Sequence, residues 1–534
     1  MTPRLYLPLS SYRQSPVSNI AMPKKEVFQL HPLGWENDPQ EERFKVSTLD
    51  YLTACTYNNY AVYFRLSDAD KPRVVEILKA GLERTLSQTR HLCGIIEKDE
   101  EGGHSFVKKQ DSTVRFEVQW LDAPEDKHVS FDEIEQANFS AVVMGDLNTW
   151  SVPPMTYGEK AEAHPDNRPV AAAYKANFIR GGLVFIMHSH HYANDVMGWS
   201  GLTHQLAENC YAIVNQTPFP AWDPACLDLS RLTKPQIPEA SMIDGPPTPQ
   251  RHPDHTVAES LFFHLPKSKA AELKKLATPA PPPSAATSPM DTVTGFLRRV
   301  LSRPAPPPAP TTTPDVPWIS TYDAFTAFIW RTVTRVRAPI FKPDLSQPLF
   351  WAEAVDMRRR FHSPKVAPRI QHNVMSAALS INAPVPAPTA GQVISEWPLS
   401  RVAGYIRQLT NSTTQEALDE ALSTVATVRD KTALNIRADS HPPLSILFTD
   451  HRDAHITAAN FGFASPVTYR HLLDVVSAGV FIIYPPRDEK PGSDEGPEFT
   501  IAFERELKHL LLEDEEWNKY FEFRGVDAVD AARA

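Results

Sequence analysis

The sequence has few cysteines, few glycines, no excess of positive charge and no long apolar run. Its four cysteines among 534 residues lie far apart, so they predict neither a disulfide framework nor the paired spacing of a zinc site. The net charge of −10 argues against a nucleic-acid-binding protein, which needs a basic surface to bind phosphates. No apolar stretch has the length of a signal-peptide core or a membrane span. We therefore expect a soluble protein of the cytoplasm that binds neither nucleic acid nor a membrane.

Proline is abundant where glycine is scarce, with 50 prolines against 20 glycines. The prolines cluster in 235–256 and again between 279 and 317, and such segments favour extended backbone outside a packed core. A chain of this length is too long for a single hydrophobic core. The pattern predicts an N-terminal domain over 1–235, a proline-rich crossover over 236–317 and a C-terminal domain over 318–534.

Both halves mix strand and helix patterns, which predicts an α/β (α+β) fold with two domains facing each other. Helical periodicity covers 70–88, and a strong helix is expected over 320–337, with its start at a serine or threonine. The segment 479–484 has the pattern of a strand. Inside the crossover, 257–277 has the pattern of a strand that leads into a helix. We expect the crossover to run between the domains on the surface, and its proline-rich stretches to lie outside both sheets.

The most informative motif is His191-Tyr-Ala-Asn-Asp195, which follows the apolar run 181–187 and precedes a helical pattern. A histidine at the end of a buried strand can project into a cleft while its backbone is held rigidly. Asp195 can fix the turn without entering the cleft. General-base chemistry near neutral pH suits an imidazole whose orientation is set by a second group. The motif therefore makes His191 a candidate base.

The five residues alone leave two other interpretations open. A histidine at a strand end is often simply hydrogen-bonded, and His188 and His190 could form a chelating pair on one face of the strand. A zinc site needs three or four ligands, however, and the remaining histidines are scattered along the chain. Strand alternation also places His191 on the face opposite the other two. We favour a single active His191 and no metal.

Several further segments follow one another in a characteristic order along nearly the whole chain. They are Ser47-Thr-Leu-Asp50, the segment 78–86, Gly181-Gly-Leu183, the His191 motif, the segment 322–331, Val355-Asp-Met-Arg-Arg-Arg360, Thr449-Asp-His-Arg-Asp453 and Phe461-Gly462. In this order they resemble the BAHD-type CoA-dependent acyltransferases, in particular the fungal branch that includes trichothecene 3-O-acetyltransferases. The resemblance implies two similar-sized domains, each like chloramphenicol acetyltransferase, that face each other across a channel and are joined by a long crossover.

The resemblance also implies roles for individual residues. His191 matches the base that removes the proton of the acceptor hydroxyl, whose oxygen then attacks the acyl thioester without a covalent acyl-enzyme. Asp195 matches a structural residue that is turned away from the substrate and paired with an arginine, for which Arg358 is our candidate. Acyl-CoA, with acetyl-CoA as the default, is implied as co-substrate, and no bound cofactor is expected. The implied partners are this co-substrate and a small-molecule alcohol, and we expect a monomer.

The chain departs from the family pattern in three places. Val196 and Met197 stand where the family has glycine directly after the aspartate, so the turn differs in detail. The family's Asp-Phe-Gly-Trp-Gly is Asn460-Phe461-Gly462-Phe-Ala here, and its usual role is structural and away from the cleft. The family's Thr-Ser-Trp-Arg is replaced by Thr449-Asp-His-Arg452. Thr449 could donate to the thioester or the oxyanion, and Arg452 could bind the CoA phosphates or form an internal pair.

The sequence therefore predicts an acyl-CoA-dependent O-acyltransferase that acetylates a hydroxyl group of a fungal secondary metabolite, such as a terpenoid, an alkaloid or a polyketide. Two alternatives stay open. One is a free-standing condensation-type domain that forms amides or esters from carrier-protein thioesters. The other is a catalytically inactive binding protein of the same fold. The sequence does not identify the acceptor, because the walls of a channel between domains cannot be mapped from one chain.

Overall fold

The computed structural model describes residues 24–100, 102–279, 318–488 and 490–530. The strands are β1 Lys25–Leu30, β2 Glu41–Lys45, β3 Tyr57–Arg65, β4 Ile95–Lys98, β5 His104–Lys109, β6 Val114–Trp120, β7 Ala172–Ile179, β8 Gly182–His190, β9 Ala258–His264, β10 Trp351–Asp356, β11 Met375–Leu379, β12 Ile446–Asp450, β13 Thr468–His471, β14 Val480–Tyr484, β15 Glu498–Glu504 and β16 Glu522–Val529. The helices are α1 Lys71–Gln88, α2 Phe131–Gln136, α3 Leu147–Trp150, α4 Val196–Asn215, α5 Lys267–Ala277, α6 Thr321–Phe341, α7 Leu399–Ser412, α8 Gln415–Ala426, α9 Lys508–Leu512 and α10 Glu515–Asn518. Within these described ranges, no helix combines the length and the apolar character that crossing a membrane requires.

The apolar run before His191 forms β8, in a six-stranded sheet with the order β1-β6-β7-β8-β3-β13. β8 is buried along its whole length and pairs antiparallel with β7 on one side and β3 on the other. A strand covered on both faces favours a continuous apolar stretch, which is the pattern of 183–187. Helix α4 follows the turn after β8 and packs against α1. Their approach is so close at Gly81 that a Cβ atom there would lie 2.4 Å from the sulfur of Cys210.

The second large sheet has seven strands in the order β11-β10-β12-β14-β15-β9-β16. β10, β12 and β14 run parallel to one another, so their carboxyl ends meet at one edge of the sheet. Helix α6 begins where the sequence predicted, because the Ser320 hydroxyl and the Asp323 carboxylate form a capping box, and it continues to Phe341. A third, smaller sheet has the order β2-β5-β4.

Two strands require corrections to the domain boundaries predicted at 235 and 317. β9 falls inside the predicted crossover 236–317, yet it lies between β15 and β16 in the seven-stranded sheet. Its apolar residues, among them Leu261 and Phe263, are fully buried there, so this part of the crossover belongs to a core and not to the surface. β13 comes from the predicted domain 318–534 but pairs with β3 in the other sheet. Most of the second proline cluster, at 280–317, lies outside the described residues.

Candidate active site

His191 is the first residue after β8, and its backbone is fixed on both sides. Its N–H donates to the carbonyl of Thr56 at 2.8 Å, and its own carbonyl accepts from Nδ2 of Asn373 at 2.8 Å. The side chain is partly exposed, while its Nδ1 atom is buried. Because Nδ1 is enclosed, Nε2 is the ring nitrogen left to meet a ligand.

The surroundings of His191 favour a neutral imidazole. Burial lowers the pKa of His191 below its usual value of 6.5, although its own carbonyl, the charge of Asp195 and the Asn373 amide act in the opposite direction. Because the pKa lies below its usual value, the ring is unprotonated near pH 7. When the single hydrogen of the neutral ring lies on Nδ1, the lone pair is on Nε2. This form can accept a proton.

Asp195 closes the turn that begins at His191, and it is almost fully buried. It is the N-cap of α4, where its Oδ1 accepts from the N–H of Gly198 at 2.7 Å. Its Oδ2 accepts from the N–H of Val374 at 2.8 Å. The two carboxylate oxygens also accept from the guanidinium of Arg358, at 2.9 and 3.0 Å. Both carboxylate oxygens of Asp195 are therefore occupied by two backbone N–H groups and the guanidinium of Arg358.

The departure from the family pattern at Val196 and Met197 has a local explanation. Helix α4 begins at Val196, so Gly198 is the third helical residue, the position that donates to the capping carboxylate. A Cβ atom at Gly198 would lie 2.4 Å from Oδ1 of Asn194 and 2.8 Å from the carbonyl of His372. Glycine thus stands two positions later in this chain than in the family pattern, and the close packing at Gly198 requires a residue without a side chain.

Arg358, two residues after β10, connects the turn between His191 and Asp195 to the seven-stranded sheet. Besides Asp195, its guanidinium contacts Asp356 at 2.9 Å and the carbonyls of Ile370 and His372, each at 3.1 Å. Burial opposes the charged form, but the two carboxylates raise the pKa of Arg358 above its usual value. The ion pair expected between Asp195 and Arg358 is thus present in the structure.

Asp50 and Asn373 complete the support of His191, and the sequence did not identify them as site residues. Asp50 is fully buried and its Oδ1 accepts from the backbone N–H and from Nδ2 of Asn373, at 3.0 and 2.9 Å. The same Nδ2 donates to the carbonyl of His191. The only sequence signal was the segment Ser47-Thr-Leu-Asp50, whose first N–H donates to the Asp50 carboxylate at 2.8 Å.

Thr449 and Arg452 lie at the carboxyl end of β12, but they differ in surroundings. Oγ1 of the partly exposed Thr449 lies 3.1 Å from Nε2 of His451. Arg452 forms a double contact with Asp450, at 2.6 and 2.9 Å, and its guanidinium lies over the ring of Tyr322. The internal pair foreseen for Arg452 is thus present in the structure.

The segment Asn460-Phe461-Gly462 packs on α4 near the end of that helix, whereas the His191 turn precedes its start. Asn460 is exposed, and its Oδ1 accepts from the N–H of Gly462 at 2.8 Å. Phe461 is fully buried against Phe64. Gly462 has φ of +79°, and a Cβ atom there would lie 2.9 Å from the backbone of Tyr211 in α4. These contacts are those of a packing motif.

His188 and His190 lie on β8 and are fully buried. Nε2 of His188 accepts from the N–H of Val152 at 3.0 Å, and Nε2 of His190 lies 2.8 Å from the carbonyl of Ala163. Burial lowers the pKa of His188 to about 3 and that of His190 to about 4. Both rings therefore bind backbone groups. Across the described ranges, no three His, Cys, Asp or Glu side chains are grouped to hold a metal ion.

Comparison with known proteins gives consistent matches over most of the chain. The sequence model described as Transferase family matches residues 36–495. The acetyltransferase FGR3 of Gibberella zeae is 63% identical over 508 residues, which cover 95% of each chain. The trichothecene 3-O-acetyltransferase TRI101 of Fusarium sporotrichioides is 25% identical over 483 residues, which cover 88% of this chain and 94% of that protein.

Solved structures agree on the fold. TRI101 of F. graminearum, in complex with coenzyme A and T-2 mycotoxin, matches with a TM-score of 0.68 at 20% identity, over 91% of this chain and all of that one. Vinorine synthase matches with a TM-score of 0.61 at 17% identity, over 96% of this chain and all of that one. These matches confirm the predicted two-domain fold. The chain belongs to the Transferase family, the BAHD-type acyltransferases, and is itself an acyltransferase.

Proposed function

We propose that the protein transfers the acetyl group of acetyl-CoA directly to a hydroxyl group of a small fungal secondary metabolite, with His191 as general base. The observation that carries the proposal is the state of the His191 ring. Its backbone is fixed by Thr56 and Asn373, its Nδ1 is buried, and its pKa is lowered by burial. A neutral imidazole with Nε2 on its open side is what proton removal from an alcohol requires.

The chain's own groups account for each step of a direct transfer. Nε2 of His191 takes the proton of the acceptor hydroxyl, and the oxygen forms a bond to the thioester carbonyl carbon. The proton held on His191 then passes to the leaving thiolate. Cys55, whose Sγ lies 3.1 Å from the hydroxyl of Tyr192, is a poor candidate for an acyl-enzyme, because burial raises its pKa to about 11 and thereby disfavours the thiolate. We propose that Thr449 contacts the thioester oxygen as negative charge develops on it, and that Arg452 fixes the end of β12 through its ion pair with Asp450 instead of binding CoA phosphates.

Asp195 has a supporting role in this proposal. Its contacts to Arg358, Gly198 and Val374 use both carboxylate oxygens, so it shapes the turn and takes no part in proton transfer. The relatives bear on the choice of substrates. A protein named as an acetyltransferase is 63% identical, and TRI101, named as a trichothecene 3-O-acetyltransferase, has been solved with coenzyme A and T-2 mycotoxin. Acetyl-CoA and trichothecene-like alcohols are therefore the first substrates to test.

The test is release of free CoA thiol from acetyl-CoA by the purified protein, with a panel of hydroxylated trichothecenes, other terpenoids, alkaloids and polyketides. Each acceptor is paired with its O-methyl ether, which keeps the shape of the molecule but has no proton to remove. Thiol release with an alcohol, absent with its ether, supports the proposal. Turnover only with an amine or with a carrier-protein thioester would instead indicate a condensation-type enzyme. Binding without turnover on any acceptor would indicate an inactive binding protein.

We also propose that the enzyme acts as a monomer in the cytoplasm. The residues that hold His191 come from both large sheets of one chain, so the described site needs no second copy to be complete. Light scattering combined with size-exclusion chromatography should give the mass of one chain. A dimer at micromolar concentration, or localisation of the tagged protein outside the cytoplasm, would contradict this part of the proposal.

A further inference from the structure

His451 is a buried histidine at the edge where β12 ends, and the proposed mechanism has not yet used it. Its backbone N–H donates to the carbonyl of Ile483 at 2.8 Å, and its ring packs edge-on against Tyr60 and Tyr484. The side chain is 4% exposed. Its Nε2 lies 3.1 Å from Oγ1 of Thr449, and its buried Nδ1 has no hydrogen-bond partner among the described residues.

The hydrogen-bond partners decide which ring nitrogen carries the hydrogen. Burial lowers the pKa of His451 to about 4, so the ring is neutral near pH 7 and has a single N–H. On Nδ1, that N–H would be buried without an acceptor. On Nε2 it donates to the oxygen of Thr449. An unpaired buried donor is costly, so the hydrogen lies on Nε2.

This tautomer sets the direction of the Thr449 hydroxyl. Its oxygen accepts from His451, so its own hydrogen is free to be donated to another group. Thr449 is partly exposed at the carboxyl edge of the sheet. The ring of Tyr60 connects His451 to the turn of the candidate base, because it stacks on Trp199 in the first turn of α4, at 4.1 Å between ring centroids, and meets the ring of His451 edge-on. A free hydroxyl donor and the candidate base thus belong to one site.

We propose that His451 is a positioning residue that directs the hydroxyl hydrogen of Thr449 to the oxyanion formed during acyl transfer. The inference rests on the proposed function. When the acceptor oxygen bonds to the carbonyl carbon, the electron pair of the C=O double bond moves to the oxygen, which accepts the hydrogen bond from Thr449. When the double bond re-forms, the carbon–sulfur bond breaks and the thiolate leaves with the proton that His191 had taken. Donors directed at such an oxyanion lower the barrier by stabilising charge as it develops.

The first experiment is a double-mutant cycle on kcat with Thr449→Ala, His451→Ala and the double variant. Loss of one oxyanion donor typically costs about 10²–10³-fold in kcat, which we expect for Thr449→Ala. His451→Ala should cost about tenfold, as for one lost hydrogen bond. The double variant should be no slower than Thr449→Ala alone, because His451 acts through Thr449. The KM for acetyl-CoA should stay within about twofold of the wild type in all three, as expected for a contact made only in the transition state.

A pair of amide variants separates hydrogen bonding from packing. In His451→Gln the side-chain amide can take the place of Nε2 and donate to Thr449, whereas in His451→Asn it takes the place of Nδ1 and cannot. We expect the glutamine variant to recover most of the kcat lost in His451→Ala and the asparagine variant to recover none. Thermal unfolding of both variants shows whether they are equally folded.

Multiplicative losses in the double variant, equal kcat for the two amide variants, or full activity of Thr449→Ala would each overturn the inference. Failure of the proposed function gives a different pattern. Acceptor-dependent thiol release would then be absent in the wild type, or His191→Ala would keep full activity, whatever the cycle shows.

Discussion

Two buried ion pairs join the chain's two large sheets, and only one of them contacts the turn that carries His191. Asp195, which follows β8, pairs with Arg358 of the seven-stranded sheet at 2.9 Å. Arg470 of β13 pairs with Glu498 of β15 at 2.6 Å, again between the two sheets. All four side chains lie in the interior. Burial and charge alone would therefore assign the two pairs the same importance.

The pairs differ in what else their carboxylates hold. Asp195 also accepts from the backbone N–H groups of Gly198 and Val374, and Val374 follows Asn373, which holds the carbonyl of His191. Glu498 is surrounded by the guanidinium groups of Arg470, Arg487 and Arg524. We therefore expect a change at Asp195, which binds backbone next to His191, to lower both stability and activity. A change at Glu498, which binds arginines, should lower stability alone.

The largest expected loss of stability is in Glu498→Gln. Burial alone would raise the pKa of Glu498, yet the three arginines hold it at about 2, so the carboxylate is charged throughout the neutral range. Removing one partner of a buried pair typically costs about 3–5 kcal/mol, because the other charge stays buried without compensation. Urea unfolding should show this loss, while the activity of the folded fraction at low temperature should stay near that of the wild type. Glu495→Gln is the matched control, since Glu495 is a partly exposed partner of Arg524, and it should cost less than about 1 kcal/mol.

Asp195→Asn should lower stability and activity together. Asparagine can still cap α4 through its oxygen, but its NH₂ group would face the N–H of Val374 in place of an acceptor. Because Arg358 keeps Asp356 as a charged partner, the main cost is that of one buried donor left unpaired, about 1–3 kcal/mol. Because the neighbouring Asn373 holds His191, kcat should fall as well. The control Asp356→Asn removes a charge from the same guanidinium without touching this backbone, so it should leave kcat within about twofold. Equal losses of kcat in both variants would contradict the distinction between backbone coupling and charge.

The pH dependence of kcat/KM should be set by His191. Since burial lowers its pKa, the midpoint of the fall in rate should lie below 6.5, the usual value of an imidazole, and the rate should fall about tenfold per pH unit well below that midpoint. Burial raises the pKa of Glu353 to about 7, so this buried carboxyl titrates in a neighbouring range. The profile of Glu353→Gln should nevertheless match that of the wild type. A midpoint near 7 that disappears in Glu353→Gln would assign the titration to the carboxyl and contradict the role of His191.

The smallest effect is expected for His190→Gln, one residue before the candidate base. Nε2 of His190 lies 2.8 Å from the carbonyl of Ala163, a contact that a glutamine amide can keep. Its Nδ1 accepts from the N–H of Tyr192, and loss of this bond should cost about 1 kcal/mol. Activity should fall less than tenfold, because both ring nitrogens of His190 are engaged by backbone groups. Thermal unfolding and steady-state kinetics on the same preparation would measure both effects, and a loss of activity as large as that of Asp195→Asn would contradict a purely structural role of His190.

The local parts of the site could be predicted from the sequence, and the long-range parts could not. The apolar run before His191, the turn and the capping position of Asp195 are encoded within about twenty residues, as a change from strand to helix periodicity. The contact of Asn373 with His191 spans 182 positions, and no local pattern marks it. Arg358, the partner of Asp195, was predicted only through a family resemblance. A contact between residues 163 positions apart leaves no periodic pattern in the sequence.

The same limit explains the errors in the domain boundaries. The prolines of 235–256, before β9, correctly indicated a connection outside both large sheets, but they could not show that β9 itself inserts between β15 and β16. β13 likewise carries too short a pattern to reveal that it joins the sheet of the other half. Pairing between strands far apart in the chain is decided by tertiary packing, which a single sequence does not display.

The central claim is that His191 removes the acceptor proton in a direct transfer, and its most direct test is acceptor-dependent thiol release by His191→Ala beside the wild type. We predict a loss of about 10²–10⁴-fold in rate, with thermal unfolding and CoA binding unchanged. Intact-mass measurement of the wild type after incubation with acetyl-CoA alone should show no added acetyl group. Full activity of His191→Ala, or an acetyl group on the protein that an acceptor alcohol then removes, would contradict the claim.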